Sequence, residues 1–597
     1  MPRYPRLLSL LAACASTTTT LAAEPEWIKL QAPGFGVISQ LDEDDTRRWA
    51  VEFDQFIGAL HALYDVEEIA LPPLTIVLFK QSKGFNPYRI VTQSGQARIA
   101  GFFGRKGDWS VIGMTGAARD VATRRTIYHE AVHWFASASA TRPPLWFSEG
   151  LAEALSTFRS VDGKGRWGEP IEDNVAYLSY YGVMPIDELL LASQDEALHG
   201  NDRYYPQAWA FVHYLMFGNG GTQAAKLSEF LRQQQQTTLE AAFSTAFGKS
   251  YSDFTAEMRR YLGNGRYGYA EVSLRDRSAE MTTAPASDAN VELALGRLAT
   301  AGGNQELAIA HAERVIALAP TSPAGYELKV YATDEATDYA ALEAALERAI
   351  ALGSRDAFLY EAKADRLLAA NQRENSFIDD VLSADVARTA ADLYQRALGL
   401  RPRNDTPLSG LVVALLNVET LTDTDQIMLN ASRMLFPTDG LLLVGQAAVE
   451  KARGNVQQAS HLLQQATVEP YTLPREQRRA VVALRANWLG QWVAAQLNTF
   501  VNEGRFDDAR ALIGEQLADD TLPVPVRRLL EGTESDLPDM ERLHQAVEAG
   551  ENGRRSEAIA MLTELADNPD TADQTRRMAQ RILQEIGERG APRDLSR

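Results

Sequence analysis

Cysteine is almost absent from this 597-residue sequence: Cys14 is the only one. No disulfide can close within the chain, so stability has to come from core packing and bound groups. Positive charge is also in deficit. Lysine and arginine number 59 against 79 aspartates and glutamates, a net charge of −20, which argues against a nucleic-acid-binding surface. There is no glycine-rich phosphate loop and no basic stretch interleaved with aromatics. Past the N-terminal segment, no apolar run approaches the roughly 20 residues of a membrane-spanning helix. What remains, 45% hydrophobic and 23% charged residues, is an ordinary globular composition in a chain long enough for several domains.

Residues 1–23 read as an export signal. Arg3 and Arg6 form a short positive region, Leu7 to Ala13 an apolar one, and Thr20-Leu21-Ala22-Ala23 offers a cleavage site after Ala23. Leu11-Ala12-Ala13-Cys14 also matches a bacterial lipobox, which would put a lipid on Cys14 and tether the chain to a membrane. Both routes lead to an exported protein of the periplasm or cell envelope.

Histidine is scarce too, eight in the whole chain, yet two stand in His129-Glu130-Ala131-Val132-His133. The surrounding residues, Asp120 to Ser137, have helical periodicity, with Asp120 or Thr123 as cap and Ile127, Val132, Trp134 and Phe135 for packing. On a helix, residues four apart lie on one face. Both imidazoles can then reach one metal ion, for which zinc is the usual choice, with Glu130 beside them as general base toward water. A catalytic zinc takes three protein ligands and keeps one position open. After Pro143-Pro144 a new helix can begin near Leu145, placing Glu149 and Glu153 four apart on one face. Gly150 in that helix costs roughly 1 kcal/mol against alanine, which points to a close approach, expected here against the histidine-bearing helix.

His129-Glu130-Ala131-Val132-His133 followed by Trp146-Phe147-Ser148-Glu149-Gly150-Leu151-Ala152-Glu153 resembles the gluzincin metallopeptidases, most closely the peptidase MA-like family. The resemblance implies one zinc per chain on His129, His133 and Glu149, with Glu130 as the catalytic base. Glu153 falls where relatives often orient a ligand histidine. The extension that marks metzincins is missing after His133. In gluzincin-like enzymes an edge strand before the zinc helix pairs with substrate backbone, which by resemblance points to Ser110–Met114. Tyr204-Tyr205-Pro206-Gln207 is similar to a segment of the same family, and relatives place a phenol or imidazole against the oxyanion, which makes Tyr205 the second catalytic candidate. His213, about two turns further on, reads as a core histidine.

The front half of this domain carries a helix over Asp42–Tyr64, a strand at Leu74–Phe79 and two strands joined by the Arg105–Asp108 turn. Residues 154–270 read as mostly helix, with a closing pair over Phe243–Leu262 broken at Phe247-Gly248. Residues 271–290, with Arg275-Asp276-Arg277-Ser278 and then Thr282-Thr283-Ala284-Pro285-Ala286-Ser287, read as a linker.

Beyond it, Glu313–Pro320 recurs as Glu347–Ser354 and again as Gln395–Pro402. The first interval is 34 residues; the longer second one points to an insertion around Ala369 to Val386, and Pro437 and Pro470 continue the spacing. Turns begin at Gly303, Gly454, Gly504 and Gly553. This pattern resembles tetratricopeptide repeats, stacked helix pairs with a groove for peptides or proteins.

The expected fold class is therefore an α+β zincin-like catalytic domain over 24–270, followed by an all-α tetratricopeptide-like superhelical repeat domain over 291–597. The expected function is an exported zinc metallopeptidase acting on peptide or protein substrates, its repeats binding a protein partner. The alternative is a non-catalytic envelope scaffold with a structural or vestigial zinc site.

Overall fold

The computed structural model describes residues 27–590 apart from 65–70, 93–94, 97–99, 116–120, 138–142, 193–201, 235–236, 335–337, 372–381, 403–405, 470 and 472. The export-signal segment with Cys14, the cap candidate Asp120, Pro470 and much of the expected insertion lie outside the described residues. The protein is mostly helical, with an α/β region on its N-terminal side. It divides into two compact units, Met1–Asp356 and Ala357–Arg597.

The first unit opens with β1 (Ile28–Ala32), β2 (Phe35–Ser39), α1 (Glu43–Leu63) and β3 (Leu74–Phe79). A short helix α2 (Ser82–Phe85) and the two-residue strands β4 (Val91–Thr92) and β5 (Gly95–Gln96) lead to the hairpin β6 (Gly101–Lys106) and β7 (Trp109–Thr115). Helix α1 starts where the sequence places it, because the Asp42 carboxylate accepts from the Asp45 N–H. Strand β3 alternates: Leu74, Ile76 and Leu78 join the core on one face, Val77 and Phe79 the core on the other.

The main sheet runs β11-β1-β2-β3-β7-β6, where β11 is Thr282–Pro285. Strands β2, β3 and β7 are parallel neighbours, and β6 pairs antiparallel with β7. Two expectations are corrected here. Ser110–Met114 lies in β7, which is paired on both sides and buried along its length; the strand order ends at β11 on one side and β6 on the other. Residues 271–290 do not form a linker: β11 pairs with β1 across 250 residues of chain, and β10 (Ala270–Ser273) closes a small sheet on β9 (Lys164–Trp167), itself paired with β8 (Arg159–Val161).

Between those strands run α3 (Val121–Ala136), α4 (Leu145–Leu155), α5 (Glu172–Tyr181), α6 (Ile186–Leu191), α7 (Tyr204–Phe217), α8 (Ala224–Gln233), α9 (Leu239–Phe247) and α10 (Tyr251–Asn264). Gly248 ends α9 in the left-handed region, at the expected break. One face of the sheet packs on α1 and α3. The other packs on α11 (Asp288–Ala301), so closely that a Cβ on Gly113 would stand 2.4 Å from Leu298. The helices expected to begin a separate repeat domain therefore complete the α/β unit, which continues through α12 (Gln305–Leu318), α13 (Ala324–Ala332) and α14 (Tyr339–Ala351).

The second unit is all helical: α15 (Ala357–Ala369), α16 (Ala384–Leu400), α17 (Thr406–Leu415), α18 (Asp423–Leu435), α19 (Gly440–Ala452), α20 (Val456–Gln465), α21 (Arg475–Asn502), α22 (Phe506–Leu517), α23 (Val524–Glu551), α24 (Arg555–Asp567) and α25 (Asp573–Gly590). Its core is a succession of local clusters along the chain, Ala364–Trp488, Leu489–Leu537 and Ala546–Ala579. The three recurring segments read from sequence end α12, α14 and α16. Gly303, Gly454, Gly504 and Gly553 all have positive φ in inter-helix turns. The 34-residue period does not persist: α21 and α23 are each 28 residues long. Among the described residues no helix is long and apolar enough to cross a membrane.

Candidate metal centre

Helix α3 is two-faced. Ile127, Tyr128, Ala131, Val132, Trp134 and Phe135 are buried, and Tyr128 stacks on Phe56 of α1 at 4.3 Å between centroids. Arg125, His129 and His133, spaced by four, form the half-buried stripe. Helix α4 begins at Leu145, immediately after Pro144. It buries Trp146, Gly150, Leu151, Ala154 and Leu155 and turns Glu149 and Glu153 toward the α3 stripe.

The close approach at Gly150 is real, but its partner is not α3. A Cβ there would lie 2.3 Å from the Ala208 carbonyl oxygen and 2.6 Å from Val212, both on α7. The sequence reading named the wrong helix because a small residue announces a contact without saying with what.

Three ligand-type atoms converge. The Nε2 atoms of His129 and His133 are 3.2 Å apart, and each is 3.4 Å from Glu149 Oε2. Four ligands placed tetrahedrally at about 2.0–2.1 Å from a zinc ion stand about 3.3–3.4 Å from one another. The observed triangle has the dimensions of one face of that tetrahedron, so the residues fit a single ion with one vertex left for a small molecule. No other group of three or more His, Cys, Asp or Glu residues of this kind is found among the described residues.

The outer imidazole nitrogens have their own neighbours. Ser148 Oγ is 3.3 Å from His133 Nδ1. Glu153 Oε1 is 3.4 Å from His129 Nδ1, a contact without hydrogen-bond alignment, and Arg125 donates to Glu153 Oε2 at 3.1 Å. Both rings thus present Nε2 inward. Burial pushes His129 down, but Glu149 and Glu153 outweigh it and hold the imidazole at about 9. Burial likewise pushes Glu149 up, and the two histidines override it to hold the carboxyl at about 2. A carboxylate that stays ionised and is shared by two imidazoles is suited to a divalent cation.

Glu130 is half-buried on α3 next to the first histidine. Tyr205 is half-buried at the start of α7; burial raises its phenol, and the charges of Glu149, Glu130 and Glu153 raise it further. Tyr205 and Glu130 therefore share the electrostatic field of the cluster. His213 stands apart from it. It is fully buried, accepts from or donates to Tyr261 Oη at 2.8 Å, and lies 2.6 Å from the Gly168 carbonyl. A carbonyl only accepts, so Nε2 carries the proton and Nδ1 takes the Tyr261 hydroxyl. Burial pushes this imidazole down to about 4, the state of a neutral core histidine.

The sequence reading missed Ser148 and Arg125. Arg125 was within reach, since it stands four residues before His129 on the same face. Ser148 carries no pattern of its own.

No family model matches the chain, and no curated protein matches it. Among solved structures it is similar to the "Human IFIT1 dimer with PPP-AAAA" at 13% identity, over 70% of this chain and 91% of that one, with a TM-score of 0.17. A likeness that slight carries no functional weight.

Proposed function

We propose that this protein is an exported zinc metallopeptidase of gluzincin type, with its helical second unit serving as a tetratricopeptide-like module that recruits a protein substrate or partner. The observation that supports it most is the 3.2–3.4 Å triangle of His129 Nε2, His133 Nε2 and Glu149 Oε2, with Glu130 adjacent in sequence to the first of them. A purely structural site has no use for that carboxylate.

His129, His133 and Glu149 would hold the zinc, which when bound would supply a Lewis acid toward the scissile carbonyl and toward an attacking water. Glu130 takes a proton from that water as its oxygen bonds to the carbonyl carbon. It delivers the proton to the amine nitrogen as the C–N bond breaks, leaving a carboxylic acid and an amine. Tyr205 donates its hydroxyl to the oxyanion in between. Arg125, Glu153 and Ser148 hold the two imidazoles in place. Strand β6, at the end of the strand order, is where we place the backbone of an extended substrate.

The test is Glu130→Gln. Hydrolysis of a mixed peptide library should stop in the variant, with about one zinc per chain retained. Turnover that survives the substitution would sink the mechanism; zinc absent from the wild type would sink the site.

A further inference from the structure

The helical second unit holds a cleft of about 370 Å3 between α18, α19 and α20. Its floor is apolar, from the buried side chains of Leu429, Val449 and Leu462. Its walls carry amides and guanidiniums: Gln426, Asn430 and Arg433 on α18, Gln446 on α19, and Arg453 just past the end of α19. Glu450 is the one carboxylate among the lining residues.

The hydrogen bonds within this lining leave it short of acceptors. Arg433 donates to the Gln446 amide oxygen at 2.6 Å, and Arg453 donates to that of Gln426. The amide oxygens are thereby engaged, and the two amide NH2 groups remain as donors. Glu450 accepts from Arg453 on one oxygen and from Asn455 on the other, each at 2.8 Å. Arg433 has no carboxylate partner among the described residues. A donor-rich, positive cleft is unlike the rest of a chain whose net charge is −20. Its chemical complement is a carboxylate, which a guanidinium with remaining N–H groups is shaped to receive.

Beside the cleft, α18 presents a second surface. Ile427, Ala431 and Met434 each follow a cleft-lining residue by one position, so their stripe lies about 100° further around the helix. Ile427 and Met434 are 67% and 86% exposed, and they span about 10 Å of the helix axis. Aligned apolar side chains of this size mark contact surfaces, whereas scattered ones do not. A lone carboxylate or a chain end would fill the cleft and leave this stripe bare. A segment lying along both needs acidic and apolar side chains together.

We propose that α18 and the cleft at its side dock an internal acidic and apolar segment of a protein partner. Side-chain carboxylates of that segment meet Arg433 and the amide groups of Gln426 and Gln446, and its apolar side chains cover Ile427 and Met434. The proposal rests on the recruiting role given to the second unit in the preceding subsection and is independent of the metal chemistry.

The test uses the full chain carrying Glu130→Gln, so that the probe is not hydrolysed. The probe is a short fluorescein-labelled peptide of leucine and glutamate with an amidated C-terminus, followed by anisotropy. It should bind saturably, and more weakly as salt is raised. Its counterpart with glutamine for glutamate should bind at least about tenfold more weakly, as should the acidic peptide to Arg433→Ala. Arg433→Lys, which keeps the charge, should restore part of that loss, whereas a folding defect would not be relieved. Met434→Ser should weaken both peptides alike. Arg581→Ala, exposed on α25, should change nothing, and neither should removal of metal with EDTA. Equal binding of the glutamine peptide, or undiminished affinity in Arg433→Ala, would overturn the proposal while leaving a recruiting role in place. So would affinity lost on chelation, which would put the peptide at the metal cluster. No binding of either peptide would overturn the recruiting role itself.

Discussion

The α/β region and the second unit are both built on helices, yet they hold those helices in different ways. Around the His129, His133 and Glu149 cluster the packing is aromatic: Phe56 on Tyr128, Trp146 on Phe211 and Phe230, and Phe211 on Phe254. Large flat groups with few rotamers fix α3 on α1 and α4 on α7, the frame around three candidate ligand atoms only 3.2–3.4 Å apart. In the second unit the buried residues are mainly alanine, leucine and valine, such as Ala387, Ala390, Ala391, Leu408 and Leu411, grouped in clusters that follow the chain. Each helix is fixed by its neighbours, and no atom has to meet another from a distant part of the sequence. One region is arranged for precision at a point, the other for extent.

The sharpest way to break that contrast is at Gly150. A methyl group there collides with the Ala208 carbonyl oxygen at 2.3 Å, backbone that no rotamer change can move. Gly150→Ala should destabilise the first unit by about 3 kcal/mol or more and lower zinc content along with it. Urea unfolding and metal analysis check this; an intact site with near-wild-type stability would mean that α4 and α7 are not locked together. Next in size is Tyr205→Phe, expected to lower kcat about a hundredfold, about 2.7 kcal/mol, with unfolding unchanged. A fall in stability instead would make the residue part of the packing rather than the chemistry.

The local parts of this arrangement were legible in the sequence. Leu74–Phe79 is the β3 strand residue for residue, α3 begins within a residue of its expected start, and His129, His133 and Glu149 do converge. These depend on periodicity and on short-range spacing. What escaped depends on distant pairing. Thr-Thr-Ala-Pro at 282–285 looks like a linker until β1 is beside it. The inner position of β7 follows from its parallel pairing with β3, which no hairpin signal announces. The turn glycines of the helical half were readable, whereas the 28-residue length of α21 and α23 broke a period that shorter helix pairs had set.

Acid separates the two regions by a smaller step. His213 is neutral in the folded core, pushed down to about 4 by burial, against about 6.5 for an exposed imidazole. A base whose folded value is depressed binds its proton more readily when unfolded. Its contribution is complete above about pH 6.5 and is lost progressively as the pH falls toward 4. Between pH 7 and pH 5 the first unit should lose about 2 kcal/mol from this group alone. His213→Gln should flatten that dependence, and an unchanged slope would assign the acid sensitivity to other residues.

The smallest effect is expected where the helical half depends on backbone conformation alone. Gly454 joins α19 to α20 at φ +85°, and a Cβ built there has nothing within 4 Å. Space therefore does not oppose Gly454→Ala; only the left-handed backbone does, by about 1–2 kcal/mol for an L-residue, partly offset by the lower entropy of the unfolded alanine chain. A net loss of about 1 kcal/mol should appear as faster amide exchange in α19 and α20, with zinc content and peptide turnover unchanged. Asparagine tolerates this conformation better than alanine, so Gly454→Asn should recover part of the loss. If turnover on a short peptide falls with either variant, the second unit affects the proposed chemistry itself, and the division between a precise region and an extended one fails.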